Sequence, residues 1–310
     1  MLHLPGNIVG SQVPDLAREA LVRRLLLALV MLGAMIGTYQ VKDKIGEGGM
    51  ATVYRAEHPL IGRRVAIKVL HPHLATQGEL VARFFQEARV QAMIAHPGLV
   101  EVFDFGHHEP SRSNYIVMEH LVGRSLEALL GEHGRLHWRG AAELARGVAN
   151  AAAAAHRHDV VHRDLKPANL LLITDPASAL GMRPKVLDFG VAKLASGSMR
   201  TQAPSLLGTP RYMAPEQCLD ASRVDARADV YALGCVLYEM VCGRSPFAGR
   251  HLSELIAAHL TAAPMPPTWA CPDLPPALEW IILRALAKRP EDRISSMAEL
   301  AALLAQVTAS

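Results

Sequence analysis

Between residues 38 and 69, apolar and polar positions group into short runs of strand length. Thr38-Tyr39-Gln40-Val41 is the first run, Thr52-Val53-Tyr54-Arg55-Ala56 the second, and Arg64-Val65-Ala66-Ile67-Lys68-Val69 the third. Alternation of this kind predicts strands with one buried face, and His58-Pro59 breaks the second from the third. From residue 79 to 94 the period changes. Leu80, Phe84, Ala88 and Gln91 recur at helical spacing, and His96-Pro97-Gly98 ends the helix. Residues 99–105 and 115–118 return to strand. Beyond Gly123 helix formers dominate, over residues 126–130, 141–155, 228–241, 252–260, 277–286 and 297–307. Residues 160–173 and 186–189 are short loop-and-strand pieces, and 264–276 is a proline-rich connection. A strand-rich first part of about 85 residues followed by helices predicts an α+β chain in two lobes, residues 38–120 and 121–307.

The segment ahead of this pattern is ambiguous. Residues 25–37 form an apolar run behind Arg23 and Arg24. A membrane-spanning helix needs about 20 apolar residues, so the run is too short to span a bilayer by itself. Residues 1–37 are expected to be an N-terminal extension: a helix lying on the domain, or a stretch preceding a true translation start at Met35. A membrane association is disfavoured.

Composition narrows the class. Half the residues are hydrophobic and a fifth are charged, as in folded globular chains. The formal net charge is only +3, from 32 Lys+Arg against 29 Asp+Glu, which argues against nucleic acid as a partner. The four cysteines include no C-x-x-C pair and suggest a reducing cytoplasm. Histidine pairs at 71/73, 107/108 and 156/158 lack zinc spacing and are read as surface or packing residues.

Four segments carry candidate chemistry. Gly46, Gly48 and Gly49 lie between two predicted strands, where backbone N–H groups could approach phosphate oxygens; a plain turn would look similar. Lys68 sits in an apolar strand, a costly place for a cation unless it is paired, and Glu87 on the next helix can supply the partner. His162-Arg163-Asp164-Leu165-Lys166-Pro167-Ala168-Asn169 offers a base, a phosphate contact and a metal ligand on one loop. Asp188-Phe189-Gly190 adds a second oxygen ligand, and oxygen ligands suit magnesium.

With Ala214-Pro215-Glu216, these segments resemble the signature set of the protein kinase family, in the family's order. The glycine loop and the Ala-Pro-Glu-Gln stretch are similar to those of its bacterial, Hanks-type serine/threonine members. The resemblance covers residues 38–307 and implies a bilobal protein-kinase fold. Its N-lobe would be a small antiparallel sheet with one helix, and its C-lobe larger and mainly helical.

The resemblance also implies a reaction: transfer of the γ-phosphate of ATP to serine or threonine hydroxyls of protein substrates, with autophosphorylation of the activation loop. Lys68 would hold the α- and β-phosphates and pair with Glu87. Asp164 would be the catalytic base, Lys166 would steady the γ-phosphate, and Asn169 and Asp188 would bind Mg2+, with Mn2+ an alternative. The nucleotide would lie against Ile45, Gly46, Glu47, Gly48, Gly49, Met50, Ala51, Val53, Ala66, Lys68, Glu119, Leu121 and Leu171, with Met118 as gatekeeper. Asp229 and Arg293 would be buried anchors of the C-lobe, with Glu216 paired to Arg293. Thr201 would be the switch residue of the activation loop, Ser205 the runner-up, with Arg163 receiving the phosphate. Val191 would favour threonine acceptors. A homodimer for trans-autophosphorylation is compatible with this reading.

Two residues depart from the family pattern. Ala51 replaces the third loop glycine, and Gln91 stands where an apolar residue is usual, against Phe189. An insertion, residues 175–184, is expected to be a surface hairpin.

Overall fold

The computed structural model describes residues 31–188, 210–220 and 224–309. The small lobe is a six-stranded, wholly antiparallel sheet. Its strands are β1 (Met35–Ile36), β2 (Tyr39–Glu47), β3 (Ala51–Glu57), β4 (Arg64–Leu70), β5 (Val102–His108) and β6 (Ser113–Glu119), in the order β1-β2-β3-β4-β6-β5. Helix α1 (Gly78–Met93) packs on one face.

The pleat of β4 sorts its side chains. Val65, Ile67 and Val69 are fully buried in one cluster with Val41, Tyr54 and Val117, while Leu70 joins Phe84 and Ala88 of α1 on the other face. Because side chains alternate, Ala66 and Lys68 share the face of Leu70 and look toward helix and cleft.

This core begins earlier than the motifs indicate. Met31 and Ile36 are fully buried in the same cluster as Tyr54, β1 pairs with β2, and the amide of Gly33 donates to Val41 O at 2.9 Å. Residues 31–36, expected to belong to an extension, are therefore packed into the small lobe, Met35–Ile36 as an edge strand and Met31 as a core side chain.

The large lobe holds α2 (Leu126–His133), α3 (Trp138–His156), α4 (Pro215–Leu219), α5 (Arg227–Cys242), α6 (Leu252–Thr261), α7 (Pro276–Ala285) and α8 (Met297–Ala309). A three-stranded sheet, β7 (Gly123–Ser125), β8 (Leu170–Thr174) and β9 (Met182–Val186), lies beside them. The alanine run of α3 is buried throughout, its small side chains allowing α8 and α5 to pack close. Gly234 of α5 serves the same end: a methyl there would stand 2.8 Å from Cβ of Ala285 on α7.

Two expectations need correction. The segment 175–184 is not a surface hairpin throughout. Its turn is exposed, but residues 182–184 form part of β9, and Pro184 is buried against α3 near Gly147. The strand expected over 99–105 starts only at Val102, because the preceding chain docks on the large lobe. Leu99 bridges Val186, and the amide of Val186 donates to Gly98 O at 2.8 Å. Among the described residues no helix is long and apolar enough to cross a membrane.

Candidate active site

A cleft of about 480 Å³ opens between the lobes. Val53 and Ala66 form its roof, Leu171 its floor, and Met118, Glu119 and Leu121 its back wall. The apolar slab between roof and floor suits a flat ring. At the mouth the β2–β3 turn is open. A methyl at Gly49 would meet nothing within 4 Å, so the backbone there is accessible to a ligand.

Lys68 Nζ lies 3.3 Å from Glu87 Oε1 and 2.6 Å from Asp188 Oδ1, joining β4, α1 and the chain after β9. Burial opposes its charge, but the two carboxylates outweigh that and hold its pKa above the usual lysine value. Burial pushes the Glu87 carboxyl up, to about 7, with Lys68 opposing the rise. Asp188 itself is half exposed and has a left-handed backbone, φ 43°, which turns its carboxylate into the cleft.

Below it, Asn169 Nδ2 donates to Asp164 O at 2.8 Å and Asp164 Oδ2 at 3.1 Å, and Lys166 Nζ stands 3.1 Å from the same Oδ2. The Asn169 amide spends its donor on Asp164, which leaves its carbonyl oxygen as a donor for a cation. His162 is buried. Its Nδ1 accepts from the amide of Asp164 at 3.2 Å, so Nε2 carries the proton and donates to Leu187 O at 2.9 Å. The loop hangs on fully buried Asp229, which accepts from the amides of His162 and Arg163, both at 2.8 Å, and pairs with His156 at 2.7 Å. Those bonds hold Arg163 at φ 63°, a conformation that a non-glycine residue adopts only when its surroundings fix it.

The model of the protein kinase domain matches residues 39–304. The chain belongs to the protein kinase family. Its kinase domain is similar to "Serine/threonine-protein kinase Pkn1" of Myxococcus xanthus, 44% identical over 269 residues, covering 86% of this chain and 38% of that one. It is 37% identical over 273 residues to "Serine/threonine-protein kinase PknB" of Mycolicibacterium smegmatis, covering 87% and 43% respectively. The chain thus spans about two fifths of the length of these relatives. Among solved structures, the kinase domain of Mycobacterium tuberculosis PknI superposes with a TM-score of 0.66 at 28% identity, covering 88% of this chain and 98% of that one.

Within this kinase domain, Ile45, Gly46, Val53, Ala66, Glu119, Leu121 and Leu171 line the cleft. Glu47, Gly48, Gly49, Met50 and Ala51 stand in the turn beyond that lining. Glu47 is engaged by Lys44 at 2.6 Å, Ala51 is buried, and Met50 packs toward Leu70 and Phe84 beneath the sheet. Gln91 lies at the inner end of the cleft with Val100 and Leu187. Sequence reading missed Val100, His120, Val122, Gly123 and Leu187 as lining residues. It also missed Lys185, buried behind the cleft, which no local signal marks because its carboxylate partner is distant in sequence. Arg293 clasps Glu216 with two bonds of 2.7 Å. Phe189, Gly190, Val191, Ser196, Ser198, Thr201, Ser205 and Thr209 lie outside the described residues.

Proposed function

We propose that this chain is an ATP-dependent serine/threonine protein kinase acting in the cytoplasm, and that it autophosphorylates its activation loop. The observation that carries the reading is Lys68 bonded to both Glu87 and Asp188 above the Asp164–Lys166–Asn169 loop. The cations and the base needed for phosphoryl transfer thus converge on the mouth of one cleft.

In this mechanism the adenine lies between Val53, Ala66 and Leu171, against the backbone of Glu119 and Leu121. Lys68 contacts the α- and β-phosphates. Asp164, oriented by Asn169 and Lys166, takes the proton from the substrate hydroxyl as its oxygen bonds to the γ-phosphorus. The bond from that phosphorus to the β–γ bridging oxygen breaks, and Lys166 balances charge on the transferred group. Asn169 and Asp188 fit Mg2+ as hard oxygen donors. When bound, the cation supplies charge neutralisation along the phosphates.

The free state of all four cysteines supports a reducing compartment. Activation by a phosphate on Thr201 draws support from Arg163. Its Nη1 is buried without a hydrogen-bond partner among the described residues, and burial disfavours its charge, so an anion arriving there is stabilised. A homodimer that phosphorylates in trans, and a preference for threonine acceptors set by Val191, complete the reading.

The test is incubation of purified protein with labelled ATP, followed by mapping of modified sites, beside Asp188→Asn. Label on serine or threonine in the wild type alone is the expected result. Nucleotide binding without transfer in the wild type would instead mark a scaffold.

A further inference from the structure

Lys185 is an unusual place for a cation. Only 4% of it is exposed, it lies on β9 of the large lobe, and it takes no part in the chemistry described above. Its Nζ donates to Leu99 O at 2.9 Å and to Glu119 Oε2 at 2.5 Å. These partners belong to two separate chain segments. Leu99 is in the linker between α1 and β5, and Glu119 is the last residue of β6, where the chain crosses between lobes.

The linker and the end of β6 are also tied to each other, by the amide of Glu119 donating to Glu101 O at 2.9 Å. Val100, between these ties, and Glu119 both line the cleft. One ammonium thus holds the back wall of the cleft against the large lobe. Burying a lysine in this way is costly and persists only where its bonds are complete.

We propose that Lys185 is a positioning residue for the nucleotide: it fixes the Glu119–Leu121 backbone so that the adenine meets preformed hydrogen-bonding groups. The idea rests on the reading of the cleft as an ATP site. Its two bonds go to Leu99 and Glu119, neither of them a phosphate or metal contact in the reading above, so their loss acts on binding of the base and leaves phosphoryl transfer intact.

The experiment compares wild type, Lys185→Met, Lys185→Arg and the double variant Lys185→Met/Glu119→Gln. Steady-state kinetics with varied ATP and calorimetry with adenosine are the readouts; adenosine carries no phosphates and reports the base alone. In Lys185→Met, the KM for ATP and the Kd for adenosine are expected to rise together by about tenfold, the equivalent of ~1.4 kcal/mol. The turnover number is expected to stay within about twofold of wild type. Lys185→Arg recovers part of the affinity, and the double variant is no weaker than Lys185→Met because the pair is already broken.

An unchanged adenosine Kd, or a turnover number that moves while KM stays fixed, overturns the proposal. Should Lys185→Met fail to fold, Lys185→Met/Glu119→Leu removes both charges together and is measured with the same readouts. A wild-type protein that binds neither adenosine nor ATP overturns the nucleotide reading itself, before Lys185 enters.

Discussion

Individual side chains divide into those legible from sequence and those visible only in three dimensions. Motif order assigned Lys68 and Asp188 separate roles and paired Lys68 with Glu87, but the direct Lys68–Asp188 bond, across 120 positions, is visible only in the structure. Replacing Lys68 by Met or Asp188 by Asn removes charge from a reaction that depends on electrostatic positioning. Each is expected to lower labelled-phosphate transfer by at least about 100-fold, with circular dichroism unchanged. Wild-type rates in either variant would refute the assignment. Gln91 was recognised as a departure. It is 8% exposed and lines the cleft beside Val100 and Leu187, so most of its side chain is packed where an apolar one would fit. Gln91→Leu should therefore stabilise the protein by about 1 kcal/mol, seen as a rise in Tm of roughly 2–4 °C. A fall in Tm would mean that the amide has a partner that Leu cannot replace. Lys185 was not legible, because nothing local distinguishes a lysine that snorkels to solvent from one whose carboxylate partner lies 66 residues away.

At the level of elements, periodicity found the long helices and most strands, since these bury a regular face. It missed β1, β7 and α4, two, three and five residues long, and read most of β9 as a surface hairpin; these short pieces are held by neighbours more than by pattern. The β1 region now carries a stability prediction. Met31 and Ile36 are fully buried in the cluster around Tyr54, so Met31→Ala or Ile36→Ala should each destabilise by roughly 2–5 kcal/mol in urea unfolding. Values near zero would return these residues to a dispensable extension. The Glu216–Arg293 pair joins α4 to the turn before α8, with the Arg293 side chain fully buried. Arg293→Ala leaves Glu216 without that partner and should cost about 3–5 kcal/mol, measured the same way. Wild-type stability would show that the pair is replaceable.

For the molecule as a whole, two lobes and their composition were readable, but the contacts that join them were not, because they pair residues distant in sequence through single bonds. Acid sensitivity is another whole-molecule property. His259 is fully buried between α6 and α5, with Nδ1 2.9 Å from the Tyr231 hydroxyl. Burial, aided by the nearby Lys288 ammonium, lowers its pKa to about 4 from an ordinary 6.5. The folded protein therefore binds fewer protons than the unfolded chain between these values. Stability is fully present above about pH 6.5 and declines as pH falls toward 4, by roughly 2–3 kcal/mol in total. Urea titrations at pH 7 and pH 4.5 should show that loss, and His259→Phe should flatten it. An equal loss in the variant would assign the acid sensitivity to other groups.

The docking of the linker at Gly98 and Leu99 has a mechanical consequence. Two of the ties between the lobes lie side by side, the covalent crossing after Glu119 and the linker bound to Val186 and Lys185, while the Lys68–Asp188 pair spans the cleft as another. When the Lys68–Asp188 pair opens, a lobe held at the two adjacent ties swings about the line through them, as a door does. Points near that line barely travel, while the far edge sweeps the widest arc. Met118 and Glu119 lie at the pivot, whereas the β2–β3 turn with Gly48 and Gly49 lies at the free edge. The same rotation therefore leaves the grip on the base nearly constant while it opens and shuts the region over the phosphates.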